Sequence, residues 1–526
     1  MKRLLISLLA LVYCAGAFAQ WEIDPADYKI SRKDLRRAQE ILAKDVPGFC
    51  GRAMPGLGSP CGTQPGPLPG ADGPVAGTSF AIEASNIRFP NPAPGAQWYP
   101  EAGLGLFIHW GIHSMLGAQP SWNMIKGYKW GGEYHSREEY YGQAKFFNPQ
   151  DEAFFEKYLG AAHEAGFRYA VLTTRHHDGY ALWPSKYGIG VKQYMGGRDL
   201  VREYVDACRK TGMKVGLYFS PRDWHYPGDR PDSEWDVETW GKRGPVQDSL
   251  KNRRDFEKFF AYVLAQLEEL LTAYGRIDLL WLDGMGWYGI PVSDLQTERV
   301  YAWIRSLQPD IVVNDRWGNI VNPDNPSGTS MRIGDFTTPF ECITPTYVPS
   351  QWWEHCHIWT GKGGGWGYNK MGVFRPLSWF FEEFVATRSL GGNFLPNVGP
   401  SGSGDMHPNF YVEIAKLKAW MDWGKESLLD CGPGPGVELG NVPLTAKGSD
   451  IWYAHLLGEF KGQVSVRAGR EPASVVFLRT GEPLEYIYRD GFLNFVVPES
   501  LREGVDDVVK VSFQSSGFPN AANGAN

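Results

Sequence analysis

The chain has 526 residues, 43% hydrophobic and 21% charged, a globular composition in a length that exceeds one compact domain. A formal net charge of −7 argues against nucleic acid or strongly anionic polymers as partners.

Residues 1–20 read as a signal peptide. Lys2 and Arg3 precede the apolar run Leu4–Val12, and Ala17-Phe-Ala19 offers a small-x-small cleavage site before Gln20. The run is too short for a stable membrane anchor, and no later stretch is long and apolar enough for a membrane span. The expectation is a secreted or periplasmic product. Loss of Lys2 and Arg3, with no acid, moves the net charge from −7 to −9. Export leaves Cys50, Cys61, Cys208, Cys342, Cys356 and Cys431. Cys50 and Cys61 bracket a Pro/Gly-rich loop and are the expected disulfide in an oxidising compartment; Cys342 and Cys356 are a candidate second pair.

Ser31–Lys44 reads as a short helix with Ser31 as N-cap and Asp34 in its first turn. Sixteen of the thirty-one residues 47–77 are then Pro or Gly, which cannot build a core. Residues 21–90 are read as a Pro/Gly-rich N-terminal extension.

From about Gln97 the character changes. Strand candidates are Leu104–Trp110, Tyr169–His177, Lys214–Ser220, Ile277–Gly284, Asp310–Arg316, Trp353–Trp359 and Asn393–Gly399. Helical patterns fall between them, near 151–165, 198–211, 251–274, 294–307 and 375–389. This alternation predicts an α/β fold, a (β/α)8-like barrel over 91–430. A doubly wound sheet is the alternative, but no Gly-rich dinucleotide turn follows an early strand. The clearest pair is the helix ending at Gly275 and the strand from Arg276 to Gly284. Trp281 and Asp283 share one face of that strand, and Leu280 and Leu282 the other. An acid at the C-terminal end of a barrel strand sits where such enzymes place chemistry; the plain alternative is a cap on the next turn.

A helix near His407–Trp423 closes this domain, and the Gly/Pro-rich stretch Cys431–Gly440 reads as a linker. Beyond it, six short strand patterns predict a small β-sandwich over 441–514, with Asp490-Gly491 as a hairpin turn. Residues 515–526 are expected to be a disordered tail.

Three further strand ends carry polar groups: His109 in Gly105-Leu-Phe-Ile-His-Trp-Gly111, the cluster His176-His177-Asp178, and Asn314 with Arg316. In a barrel these converge on one mouth. Imidazoles, a guanidinium and carboxylates around one pocket suit the hydroxyls of a sugar, and the aromatic share of 14% fits rings that stack on sugars. A His-His-Asp metal site is a second reading. However, neighbouring strand residues point to opposite faces, and no H-E-x-x-H helix is present. No metal or cofactor is expected. A polar cluster satisfied by its own hydrogen bonds is the third reading.

Together these stretches resemble glycoside hydrolase family 29, the retaining α-L-fucosidases. The motifs are Trp98-Tyr, Gly105–Gly111, Arg175-His-His-Asp-Gly-Tyr180, Gly216-Leu-Tyr-Phe-Ser220, Leu280-Trp-Leu-Asp-Gly284 and Asn314-Asp-Arg-Trp-Gly318. They continue in family order with Gly334-Asp-Phe336, Trp353-Glu-His-Cys356, Trp366-Gly-Tyr-Asn369 and Gly391–Pro400. The resemblance implies a covalent double displacement on a fucosylated glycan. Asp283 matches the nucleophile. His109, His176, His177, Trp281 and Arg316 match residues that hold the sugar. Tyr218 lies on a matching strand end, and Glu133-Tyr134 is similar to the family's Glu-Trp pair. Glu341 resembles the acid/base, with one extra residue in its Gly-Asp-x-x-Thr-Pro-Glu pattern, and is placed in a loop after the Arg316 strand. Asp335 and Glu354 are the rivals. Loss of the acid would instead leave a carbohydrate-binding protein on the same fold. Pro396 stands where the family usually has Leu. Lys425-Glu-Ser-Leu-Leu429 lacks the usual Asn-Gly-Glu-x-Ile-Tyr, which bears on how the sandwich docks.

Overall fold

Eight parallel strands form the centre of the protein. They are β1 (Gly105–Ile108), β2 (Tyr169–Arg175), β3 (Lys214–Phe219), β4 (Leu279–Leu282), β5 (Val312–Val313), β6 (Phe336–Glu341), β7 (Trp352–Ile358) and β8 (Asn393–Val398). The computed structural model describes residues 24, 26–44, 91–128, 132–151, 153–227, 253–285, 295–321, 330–349, 351–361, 365–435, 439–458 and 460–514. The strand order is β5-β4-β3-β2-β1-β8-β7-β6. A parallel bridge between Asn314 and Phe336 joins the two ends and closes the sheet into a barrel.

Both faces of each strand are buried, which is why the strands read as nearly continuous apolar runs. Phe107, Val171, Tyr218, Trp281, Phe336, Cys356 and Leu395 fill the barrel interior. Their neighbours Ile108, Leu172, Leu217, Leu280, Leu282 and Phe394 pack outward against the helices. Trp281 therefore parts from Leu280 and Leu282 as the alternation predicts.

The major helices are α1 (Arg32–Ala43), α2 (Phe154–Glu164), α3 (Leu200–Thr211), α4 (Arg253–Ala273), α5 (Thr297–Leu307), α6 (Leu377–Ser389) and α7 (Pro408–Gly424). Ser31 and Asp34 form a reciprocal capping box at the start of α1. Gly275 takes φ +71° after α4, the left-handed turn that sends the chain into β4.

One barrel strand was not expected. β6 carries Pro339 and an irregular register between Thr337 and Phe340, so its sequence lacks a clean strand pattern. Glu341 is the last residue of this strand rather than part of a loop.

The described residues beyond α7 form two antiparallel sheets, of six and three strands. Val464, Val466, Val475, Phe477, Leu493, Phe495, Val509 and Val511 pack between them. The larger sheet reaches back to Gly432–Pro433, inside the stretch read as a linker. Docking onto the barrel survives the altered 425–429 sequence. Glu426 accepts from Lys510 Nζ and Tyr453 Oη, each at 3.0 Å, and Trp420 Nε1 donates to the Asp506 carbonyl at 2.9 Å.

Cys342 and Cys356 are free thiols, against the expected second pair. Cys356 points into the barrel interior, whereas Cys342 lies exposed past the end of β6; only their backbones meet, through a 3.0 Å hydrogen bond from Cys342 N–H to the Cys356 carbonyl. The signal segment, Cys50, Cys61 and the tail lie outside the described residues. Among the described residues no helix is long and apolar enough to cross a membrane.

Candidate active site

The C-terminal ends of the strands open on one mouth, the position where barrels of this kind carry chemistry. Asp283 follows β4 directly. Its position is braced from the side by Asn314, whose amide accepts from Leu282 N–H and donates to the Leu282 carbonyl, both at 2.9 Å. Asn314 thus serves the strand end and is not a pocket group.

Asp283 is 8% exposed. Tyr218 Oη donates to its Oδ2 at 2.8 Å, and Arg316 Nη1 lies 3.6 Å from its Oδ1. Burial pushes the Asp283 carboxyl up to about 6; the Arg316 cation opposes this, the Glu341 charge adds to it, and the Tyr218 hydrogen bond lowers it. Arg316 also donates from Nη2 to Glu341 Oε2 and from Nε to Thr338 Oγ1, each at 2.6 Å. Its guanidinium lies 4.5 Å from the centre of the Trp281 ring. One cation therefore touches two carboxylates, with an indole beneath it.

The three histidines face the same space. His109 Nδ1 lies 2.6 Å from Asn397 Oδ1, and the Asn397 amide nitrogen donates to the Trp366 carbonyl, so Oδ1 is the acceptor and His109 carries its proton on Nδ1. His177 Nδ1 lies 2.7 Å from Ser220 Oγ, which spends its own proton on the Arg222 carbonyl, so His177 is protonated on Nδ1 as well. Nε2 of each ring then carries the lone pair, and that of His177 lies 3.8 Å from Asp283 Oδ2. His176 Nδ1 pairs with Ser121 Oγ at 2.6 Å, and its ring stacks on Tyr218 at 5.5 Å. Burial lowers His109 to about 3 and holds His176 well below the ordinary histidine value, so both are neutral.

His176, His177 and Asp283 each offer an atom to a set lying within 4.8 Å of one another. The adjacent histidines do not point apart as a regular strand would require, because β2 ends at Arg175; their ring centres are 4.1 Å apart. Asp178 is not the third member. It turns away, accepting from Tyr140 Oη at 2.6 Å and from Tyr180 N–H at 2.9 Å. The three donors could approach one ion, but the Arg316 cation already sits against the same carboxylate and competes for it.

The rival acids lie elsewhere. Glu354 is buried inside the barrel, accepting from Trp281 Nε1 at 2.9 Å, Tyr169 Oη at 2.6 Å and Tyr99 Oη at 3.4 Å. Burial raises it to about 7, partly offset by those hydrogen bonds. Asp335 is buried behind β5, bound by Arg305 and by Val313 N–H. Glu341 alone of the three candidates stands at the mouth, its side chain 24% exposed.

Glu133 and Tyr134 do not join the cluster. Both are exposed, Tyr134 at 47%. The aromatic wall is instead Trp122, Tyr128 and Trp224, which were not singled out from sequence. Trp122 meets His177 edge-on at 5.7 Å and stacks on Tyr128 at 4.8 Å, while Trp224 lies 5.1 Å from His177. Tyr128 also feels the Glu341 charge, which together with burial pushes its phenol up to about 12. Nothing in the sequence around Trp122 and Trp224 marks them, because Trp122 lies well past the end of β1 and both are defined by their contacts with His177.

Comparison with known proteins gives a consistent picture. The Alpha-L-fucosidase family profile matches residues 82–426. The chain is 30% identical over 390 residues to the tissue alpha-L-fucosidase of Bos taurus, covering 69% of this chain and 75% of that protein. It is 28% identical over 380 residues to the tissue alpha-L-fucosidase of Homo sapiens, covering 68% and 73%. Among solved structures, alpha-L-fucosidase isoenzyme 1 from Paenibacillus thiaminolyticus aligns with a TM-score of 0.64 at 27% identity, covering 80% of this chain and 98% of that one.

Proposed function

The chain belongs to the α-L-fucosidase family and is a glycoside hydrolase; from that premise we propose that it is exported and removes terminal α-L-fucose, or a close L-sugar such as L-galactose, from glycans with retention of configuration. Export follows from the Lys2-Arg3 start, the short apolar run and the Ala17-Phe-Ala19 site.

The reading is carried by one observation: two carboxylates, Asp283 and Glu341, contact the same guanidinium at the barrel mouth. In the first step Asp283 attacks the anomeric carbon and forms a glycosyl ester, while Glu341 gives its proton to the departing oxygen. Glu341 then takes a proton from water, which cleaves the ester and frees Asp283. Negative charge thus passes from Asp283 to Glu341 and back. Arg316, between them, keeps an anionic partner at each stage, and such fixed charge needs no rearrangement as the reaction proceeds. The Nε2 atoms of His109 and His177 accept hydrogen bonds from ring hydroxyls, His176 adds a third imidazole, and Trp281 supplies an apolar floor.

The test is Asp283→Gly with an aryl α-L-fucoside. Turnover should be lost while the chain stays folded, and azide should restore it, giving a fucosyl azide of inverted configuration. Near-normal turnover without azide would remove Asp283 from this role. A wild-type chain that binds fucose yet cleaves no fucoside would favour a binding protein instead.

A further inference from the structure

The family match begins at residue 82, yet an earlier segment is packed into the barrel. Helix α1 lies against α4 and α5, with Ala38 and Ile41 buried and Arg37 paired to Glu268 at 2.8 Å. Just before it, the Asp27 carbonyl accepts from Gly188 N–H at 2.8 Å, and Tyr28 is 5% exposed. The Tyr28 hydroxyl lies 2.6 Å from His225 Nδ1, and its ring packs edge-on against Tyr226 at 5.3 Å and against Tyr262 at 5.7 Å.

His225 belongs to the loop 220–227 after β3, and that loop holds His177 in three ways. Ser220 Oγ accepts from His177 Nδ1, Trp224 N–H donates to the His177 carbonyl at 2.6 Å, and the Trp224 ring lies against the imidazole. Within the loop, Asp223 accepts from His225 N–H at 2.9 Å, Tyr226 N–H at 3.1 Å and Tyr262 Oη at 2.5 Å. Tyr28 closes this arrangement from outside. It bonds His225 and packs on Tyr226 and Tyr262, the same residues that gather on Asp223.

We propose that the N-terminal segment 26–43 is a positioning element for the sugar site, with Tyr28 holding the Trp224-His225 loop in the conformation that orients His177. Tyr28 touches no substrate; it acts through the loop. The proposal rests on His177 being a sugar-binding group. It gives part of the 21–90 extension a role in catalysis that an isolated barrel would lack. A substrate-binding ring needs its angle fixed, and such precision comes from the residues packed behind it.

The test uses the full chain with Tyr28→Phe, Tyr28→Ala and, as a control outside the segment, Lys210→Ala on the exposed end of α3. Amide hydrogen exchange is read over 220–227, and kcat/KM is measured on an aryl α-L-fucoside together with inhibition by free L-fucose. Tyr28→Phe keeps the ring and loses one hydrogen bond, so kcat/KM should fall about threefold to tenfold and fucose inhibition weaken in parallel. Tyr28→Ala should lose more than tenfold, and both should speed exchange at Trp224, His225 and Tyr226. Lys210→Ala should change neither readout. Unchanged exchange in the loop would overturn the proposal, and so would faster exchange with unaltered kinetics and fucose inhibition. If the wild-type chain cleaves no fucoside, the substrate reading alone fails; exchange over 173–178, which contains His177, then decides whether Tyr28 governs that ring. Should Tyr28→Ala not fold, Tyr28→Phe carries the test.

Discussion

Tyr218→Phe isolates one hydrogen bond at the nucleophile. The phenol donates to Asp283 Oδ2 at 2.8 Å, and its ring stacks on Trp281 at 5.6 Å and on His176 at 5.5 Å. Phenylalanine keeps both stacks and removes only the donor. The donor favours the charged carboxylate, so losing it must raise the Asp283 pKa from its present value of about 6. A hydrogen bond to a charged group contributes about 1.5–3 kcal/mol, and each pKa unit corresponds to about 1.36 kcal/mol, so the shift should be about one to two units. The nucleophile works ionised. The acidic limb of kcat/KM, measured on an aryl α-L-fucoside, should therefore move from about pH 6 to about pH 7–8. The loss is then much greater at pH 6 than at pH 9. A uniform drop with the limb unmoved would refute the reasoning, because it would assign the limb to another group.

Glu341→Ala should nearly abolish cleavage of a natural fucosylated glycan, whose leaving alcohol needs a proton. It should slow the first step on an aryl fucoside far less; equal losses on both would remove Glu341 from the acid/base role. EDTA should leave turnover unchanged, since two carboxylates complete the reaction. A chelated protein that recovers only with zinc would make His176, His177 and Asp283 metal ligands.

Much of this site was legible because strand chemistry is local. An apolar run with Trp281 and Asp283 on one face needs no distant partner to be read, and the interior burial of Trp281 follows from alternation alone. Asp283, His109, His176, His177 and Arg316 each stand at or just past the end of a readable strand. β6 was hidden because Pro339 interrupts its pattern, and Glu341 was consequently placed in a loop. Trp122, Trp224, Ser121 and Ser220 were invisible for another reason. Their meaning comes from contacts with His176 and His177, many residues away in the chain, and nothing in their own neighbours signals those contacts. The Glu133-Tyr134 pair was read from a short pattern, and both residues lie exposed, apart from the buried cluster around Asp283.

The raised pKa of Asp283 also bears on the stability of the whole chain. A carboxyl whose folded pKa lies above its unfolded value binds its proton more tightly in the folded state. Its contribution to stability is complete below the unfolded pKa and is lost as pH rises through the folded one. Here the window runs from 3.8 to about 6. Above it, the ionised side chain costs about 3 kcal/mol, from a shift of about two units. Asp283→Asn keeps an acceptor for Tyr218 and leaves Glu341 as the partner of Arg316, but carries no charge. The variant should therefore be inactive and more stable than the wild type at pH 7.5, with a higher Tm. The difference should shrink to nothing as the pH falls below 4, where wild-type Asp283 is also neutral. Other buried groups, His109 and His176 among them, titrate alike in both proteins and cancel in the comparison. An Asp283→Asn variant that melts at or below the wild type at pH 7.5 would show that Arg316 and Tyr218 already compensate the buried charge, and the wild-type acidic limb should then lie below pH 6 as well.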